Sequence, residues 1–372
     1  MDFVAYCGPK PLTIINKRIS DFIDSPKQYE KFYSPADLPT LVKGISEIKN
    51  NFLHTERFVE FFEALTGNSV RKGLVLAQNL VFNTIYNPFE VGKADGSSNL
   101  RSTEILRALM VGANVSYTYG YDDLIENIFE VQGHKGESPL IKLRILRILS
   151  RHDHDNGTSV NKLINILTGF EQSSEVIRDA LNEMLSPFKR LIWSDSVNDF
   201  DSVEEMSKLG GSRVSISSSG EGYLRVLCKK VEYIQEVMLD TFVQSSSNTH
   251  FGRDYDYGKM EDRFRMVSRF CSYLVKRDME EVEAFANDVG TAEYQKEFGK
   301  DLISRAIMEA VMHDIGSILD FVVDHTHGGT KSSRLELKEE LSEYFEDWRL
   351  RLVQFEQEIF GMETDHEHAS TR

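Results

Sequence analysis

The chain has 372 residues, 41% of them hydrophobic and 27% charged, with a formal net charge of −16. That length and balance leave room for two or three domains with ordinary cores and exclude an intrinsically disordered chain. Three cysteines without a CxxC spacing fit a reducing compartment better than a disulfide framework or a zinc site, and no run approaches the roughly 18 apolar residues of a membrane span, so a cytoplasmic protein with no membrane partner is expected.

The acid is unevenly placed. Residues 1–137 hold 14 basic and 17 acidic side chains, 138–230 hold 13 and 12, and 231–372 hold 16 and 30. So acidic a last third is a poor surface for nucleic acid and suits a solvated helical face or a basic partner.

The opening stretch, Tyr6 to Leu12, is a Pro/Gly-punctuated connector that reads as a continuation rather than the start of a domain. Thr13–Phe22 and Leu38–Phe52 then carry apolar residues at helical spacing, and Phe58, Val59, Phe61, Phe62 and Leu65 form a strongly apolar helix that stops at Thr66-Gly67-Asn68. Ser69 is placed to cap the next helix, Val70–Phe82. Further on come Thr103 to Gly112, containing Arg107-Ala108-Leu109-Met110, and then Ile125-Glu126-Asn127-Ile128-Phe129.

From Ser138 to Lys230 the pattern is helix, helix, helix, strand, loop, strand. Leu140–Leu149 is an aliphatic helix studded with Lys142, Arg144 and Arg147. Thr158 and Ser159 offer caps for Val160–Leu167, which Gly169 closes; Ser173 and Ser174 open a third helix that runs to Pro187. Arg190–Ser194 and Arg213–Ser217 alternate as strands around a polar loop, and a long helix is expected from Tyr223 to about Phe242. This is the order of a winged helix-turn-helix. Such a module reads DNA, docks on protein or serves as a structural block. Lys189, Arg190 and Arg213, with Arg144 and Arg147, are the candidate phosphate contacts, whereas the third helix carries Glu175, Asp179 and Glu183 against Arg178, an unfavourable balance for a polyanion.

Taken together, the Phe61–Leu74 stretch with its Gly67-Asn68-x-x-Arg71 turn, the Arg-Ala-Leu-Met segment, the Asn-x-Phe segment and the winged helix resemble, in that order, the C-terminal lid and winged-helix part of bacterial STAND and AAA+ type P-loop ATPases of conflict and defence systems. The likeness covers about residues 1–240. It implies that Arg71, with Gly67 and Asn68, senses the γ-phosphate of a nucleotide if a core is supplied; the bland alternative for Arg71 is an ordinary surface arginine. The chain departs from that family in having no GxxxxGK[ST] loop and no strand ending in paired carboxylates. No catalytic residue and no cofactor is therefore expected in this chain, with ATP relevant only if a P-loop core completes it.

The acidic last third reads as a helical bundle: Met260–Lys276, Phe298–His325, and a last helix in which Leu337, Leu341, Tyr344, Trp348, Leu352, Phe355 and Ile359 form one stripe. Residues 335–359 are the candidate oligomer contact, with packing inside the chain as the plainer alternative. His313-Asp314, with His325 and His327 after it and His250 before it, resembles the His-Asp pair of metal phosphohydrolases, but a chance dipeptide explains it better. His152-Asp153-His154-Asp155 is read as a solvated turn, and no metal site is expected.

The expected fold is therefore mainly α with a small β wing: a lid-like helical region over 1–90, a helical connector over 91–137, a winged helix over 138–245, an acidic helical bundle over 250–362 and a tail over 363–372. The expected function is a non-catalytic regulatory or interaction portion of a STAND-like ATPase system, with a protein partner; a free-standing winged-helix regulator that binds DNA is the alternative.

Overall fold

The computed structural model describes residues 10–52, 55–67, 69–82, 125–134, 137–152, 157–187, 189–239, 241, 259–324 and 329–361. The chain is mainly helical and separates into two compact units: residues 1–126 with Ser218–Leu227, and residues 127–217 with Cys228–Arg372.

In the first unit, α1 (Pro11–Asp24), α2 (Leu38–Phe52), α3 (Glu56–Thr66) and α4 (Val70–Phe82) follow the apolar spacing read from the sequence. Pro11 sits in the first turn of α1, where its missing N–H costs nothing. Phe61, Phe62 and Leu65 of α3 are buried, and Gly67 ends that helix at φ 51°, the left-handed cap that glycine adopts without a Cβ penalty. The Arg-Ala-Leu-Met segment lies outside the described residues.

In the second unit, α5 (Ile141–Arg151) leads to β1 (Thr158–Ser159), α6 (Val160–Thr168), α7 (Ser174–Leu185), β2 (Ile192–Trp193), α8 (Val203–Lys208) and β3 (Arg213–Ile216). The strands form an antiparallel sheet in the order β1-β3-β2, with Ser159 opposite Arg213 and Trp193 opposite Ser215. Ser159, Ser173 and Ser202 each accept a hydrogen bond from a backbone N–H in the first turn of the helix they open, which fixes the starts of α6, α7 and α8. The loop expected between β2 and β3 thus contains a helical turn of its own.

The long helix expected from Tyr223 to Phe242 is broken. After β3 the chain forms α9 (Ser218–Arg225), a 3-10 turn at Leu227–Lys229, and then α10 (Val231–Val237). Lys230 is extended at φ −98° and ψ 129°, and the buried Asp314 carboxylate accepts the Val231 N–H at 3.2 Å. A distant side chain therefore supplies the cap that lets a new helix start there, which local periodicity does not reveal.

The remaining helices are α11 (Met260–Asp288), α12 (Thr291–Phe298), α13 (Ile303–Asp324) and α14 (Gly329–Phe360); α11, α13 and α14 pack against one another. From the last stripe, Leu337, Leu341, Leu352 and Phe355 are buried within the unit.

Candidate functional site

The centre of the second unit is α5. Its Ile-Lys-Leu-Arg-Ile-Leu-Arg-Ile-Leu run is buried nearly all round, because one side meets α7 and β3 while another meets α12. Two of its cations go down with it. Arg144 is only 1% exposed; its guanidinium pairs with Glu281 and, at 2.8 Å, with Asp278, while its plane lies 4.0 Å from the Phe170 ring centre. Asp278 also accepts the Ser304 N–H at 2.9 Å, and Glu281 accepts from Ser138 Oγ at 2.7 Å. Burial alone pushes the Arg144 pKa down, but the two carboxylates outweigh it and raise it, so the charge persists. Lys142 pairs with Glu183 of α7 at 2.5 Å and donates to the Asn127 carbonyl at 3.1 Å.

A second polar junction lies one end further along. His152 Nε2 donates to Glu297 Oε2 at 2.7 Å, and Lys162 of α6 reaches the other oxygen at 3.0 Å. Burial by itself raises the Glu297 pKa, yet the hydrogen bonds and charges of His152 and Lys162 prevail and hold it below the usual carboxylate range. His152 is thus a packing residue and not part of a solvated turn; Asp153, His154 and Asp155 lie outside the described residues. Around these junctions Phe170 stacks on Phe285 at 4.4 Å between ring centres and meets Phe298 edge-on at 5.4 Å.

The face of α7 is engaged as well. Asp179 accepts from His134 Nε2 at 2.7 Å and pairs with Arg178 at 2.6 Å, and Glu183 Oε1 accepts the Gln132 N–H at 2.7 Å. The segment that makes these contacts is anchored by Asn127, which donates to Thr241 Oγ1 at 3.1 Å, by the Ile128 N–H, which Tyr233 accepts at 3.0 Å, and by Phe129 against Phe270.

Of the five candidate phosphate contacts, Arg144 is withdrawn into the interior and Arg147 is half-buried, with its Nε donating to the Phe298 carbonyl at 3.2 Å. Arg144 is thereby closed to a ligand in solution, whereas Arg147 keeps part of its surface. The alternation of basic and aliphatic residues misled here because α5 buries more than one face, so Arg144 meets carboxylates and Arg147 a backbone carbonyl instead. Lys189 is half-buried, and Arg190 and Arg213 are exposed, Arg213 donating to the Gly157 carbonyl at 2.9 Å. Trp193 is exposed on the same strand pair.

In the first unit Arg71 is exposed, Gly67 caps α3, and Asn68 lies outside the described residues. The next side chain, Lys72, turns inward. Its amine lies 6.0 Å from the ring centre of the fully buried Tyr223 and, among the described residues, has no hydrogen-bond partner. Burial lowers its pKa to about 8, against the opposing pull of the Glu126 carboxylate. Tyr223 Oη accepts the Glu126 N–H at 2.7 Å.

The His313-Asp314 pair divides: His313 is exposed and Asp314 is turned to the start of α10. Among the described residues no group of three or more His, Cys, Asp or Glu side chains could hold a metal ion. An open groove of about 620 Å³ runs between α11 and α14, lined by Arg265 and Arg269 on one side and Glu336, Glu340, Glu343 and Tyr344 on the other; Arg265 already pairs with Glu340 at 2.7 Å.

Sequence reasoning passed over Asp278, Glu281, Glu297 and Lys72. The signal for two of them was present: Leu274, Asp278, Glu281 and Phe285 step by helical spacing, which places two carboxylates on the apolar stripe of α11. No family model, curated protein or solved structure matches the chain.

Proposed function

We propose that this chain is a non-catalytic interaction and regulatory protein, built from a lid-like helical region, a winged helix and an acidic helical bundle, and that it belongs to a STAND-like ATPase system whose P-loop core is another polypeptide. The observation that favours an interaction role over DNA reading is the fate of the basic residues on α5. Arg144 and Arg147 are spent on the C-terminal helices, and α7, the helix that would enter the major groove, turns Asp179 and Glu183 toward the chain's own 132–134 segment. A winged helix so engaged serves as a structural block rather than a free reader of DNA. The link to an ATPase rests on the order of motifs in the sequence, with the exposed Arg71 available to a nucleotide core supplied in trans.

Two binding measurements test the proposal. A fluorescent ATP analogue is expected to bind the purified chain no better than an unrelated protein, and to bind it together with a P-loop protein encoded beside it more tightly than that protein alone, with Arg71→Ala removing the gain. Saturable nucleotide binding by the chain alone, or no gain with the P-loop partner, overturns it. The DNA-binding reading keeps one specific observation in its favour, the exposed Arg190, Arg213 and Trp193 around the β2-β3 pair.

A further inference from the structure

The run Ser218–Leu227 follows β3 of the second unit in the chain, yet it groups with the first unit, and the chain crosses back at Cys228. Within the first unit α9 packs against α3 at glycine distance. A Cβ on Gly222 would stand 2.5 Å from the Ala64 carbonyl oxygen, and one on Gly67 would stand 2.6 Å from the Ser219 backbone nitrogen. Such close backbone approach defines one docked position and tolerates little displacement.

The same region carries two buried polar atoms that no described residue hydrogen-bonds. Lys72 Nζ is buried on the α4 side and Ser219 Oγ on the α9 side, one turn from Tyr223, and among the described residues neither has a hydrogen-bond partner. An unmet buried donor loses its hydration without compensation, and a buried ammonium loses more than a hydroxyl. Both groups regain water when α9 leaves its seat. Tyr223 opposes release by filling the interior and accepting the Glu126 N–H.

We propose that Ser218–Leu227 is a latch that docks on and leaves the first unit as a segment, and that the buried Lys72 amine and Ser219 hydroxyl, neither of them hydrogen-bonded to a described residue, keep it poised near release. The device would pass a change in the first unit to the sheet strand β3 that immediately precedes it in the chain. It does not depend on which partner or nucleotide the chain serves.

The test is hydrogen exchange, read by mass spectrometry, on the full chain. Peptides covering 218–227 are compared with peptides from 264–275 in the middle of α11. In the wild type the latch is expected to exchange faster than α11. Lys72→Met keeps the length of the side chain and removes the amine, and Ser219→Ala removes the hydroxyl; each is expected to slow exchange of 218–227 by tenfold or more for Lys72→Met and severalfold for Ser219→Ala, with 264–275 unchanged. Gly222→Ala is expected to speed exchange of 218–227 and leave 264–275 unchanged. If Lys72→Met and Ser219→Ala leave the latch unchanged or faster, or if 218–227 and 264–275 shift together in these variants, the proposal fails.

Discussion

Arg144 shows what a single residue decides in this molecule. A guanidinium that is 1% exposed, held by Asp278, Glu281 and the face of Phe170, has more of its free energy in its partners than in itself. Removing it leaves two carboxylates without their cation in the interior, so Arg144→Met is expected to lower stability by about 3–5 kcal/mol, measured by urea denaturation. Combining it with Asp278→Asn and Glu281→Gln should recover a large part of that loss, because the uncompensated charges go with their partner. Glu297 gives a dependence on pH with a definite sign. Its folded-state pKa is depressed, so its contribution is present in full above the ordinary glutamate value and is lost as the pH falls through the lower folded value. Thermal stability in the acid range should therefore fall less steeply in Glu297→Gln than in the wild type, starting from a lower value near neutrality.

Among the elements, Gly169, just past the end of α6, lies against the end of α11. A Cβ there would come within 2.7 Å of the Phe285 ring and 2.8 Å of Val289. Gly169 has φ −62°, so Gly169→Ala brings no backbone strain, and the cost of about 1–3 kcal/mol expected from overpacking is a direct measure of how tightly the two helices meet. The start of α7 offers a gentler measure: Ser173→Ala removes the hydroxyl that accepts the Val176 N–H and should cost about 1 kcal/mol in a chemical denaturation experiment. If Ser173→Ala costs as much as Gly169→Ala, the helix end rather than the helix contact limits this part of the fold.

For the whole molecule, charge decides between the two readings of its function. The described acidic helices α11–α14 and the engaged face of α7 leave Arg190 and Arg213 as the exposed cations of the five candidates. Binding to duplex DNA, followed by fluorescence anisotropy, is expected to be weak at low salt, equal for unrelated sequences and absent at physiological ionic strength. A complex that survives 150 mM salt, roughly the physiological range, and discriminates between sequences would instead favour a transcription regulator.

Much of the architecture was legible in the linear chain because it rests on local rules. Apolar spacing marked α1 to α4 and the stripe of α14, serine hydroxyls marked the starts of α6 and α7, and a glycine marked the end of α3. These signals depend on residues within a turn or two of one another, so the sequence carries them whole. The break between α9 and α10, the inward turn of Lys72 beside the exposed Arg71, the burial of Arg144 and the half-burial of Arg147 depend on groups far away in the chain: Asp314, Tyr223, Asp278, Glu281 and the Phe298 carbonyl. A charged side chain carries the same letter whether it meets water or a carboxylate. Local signals in the chain marked most of the helices and the acidity of the last third; the fold decided where the helix after β3 breaks and which of the cations remain on the surface, because the free energy of a charge is set by what surrounds it.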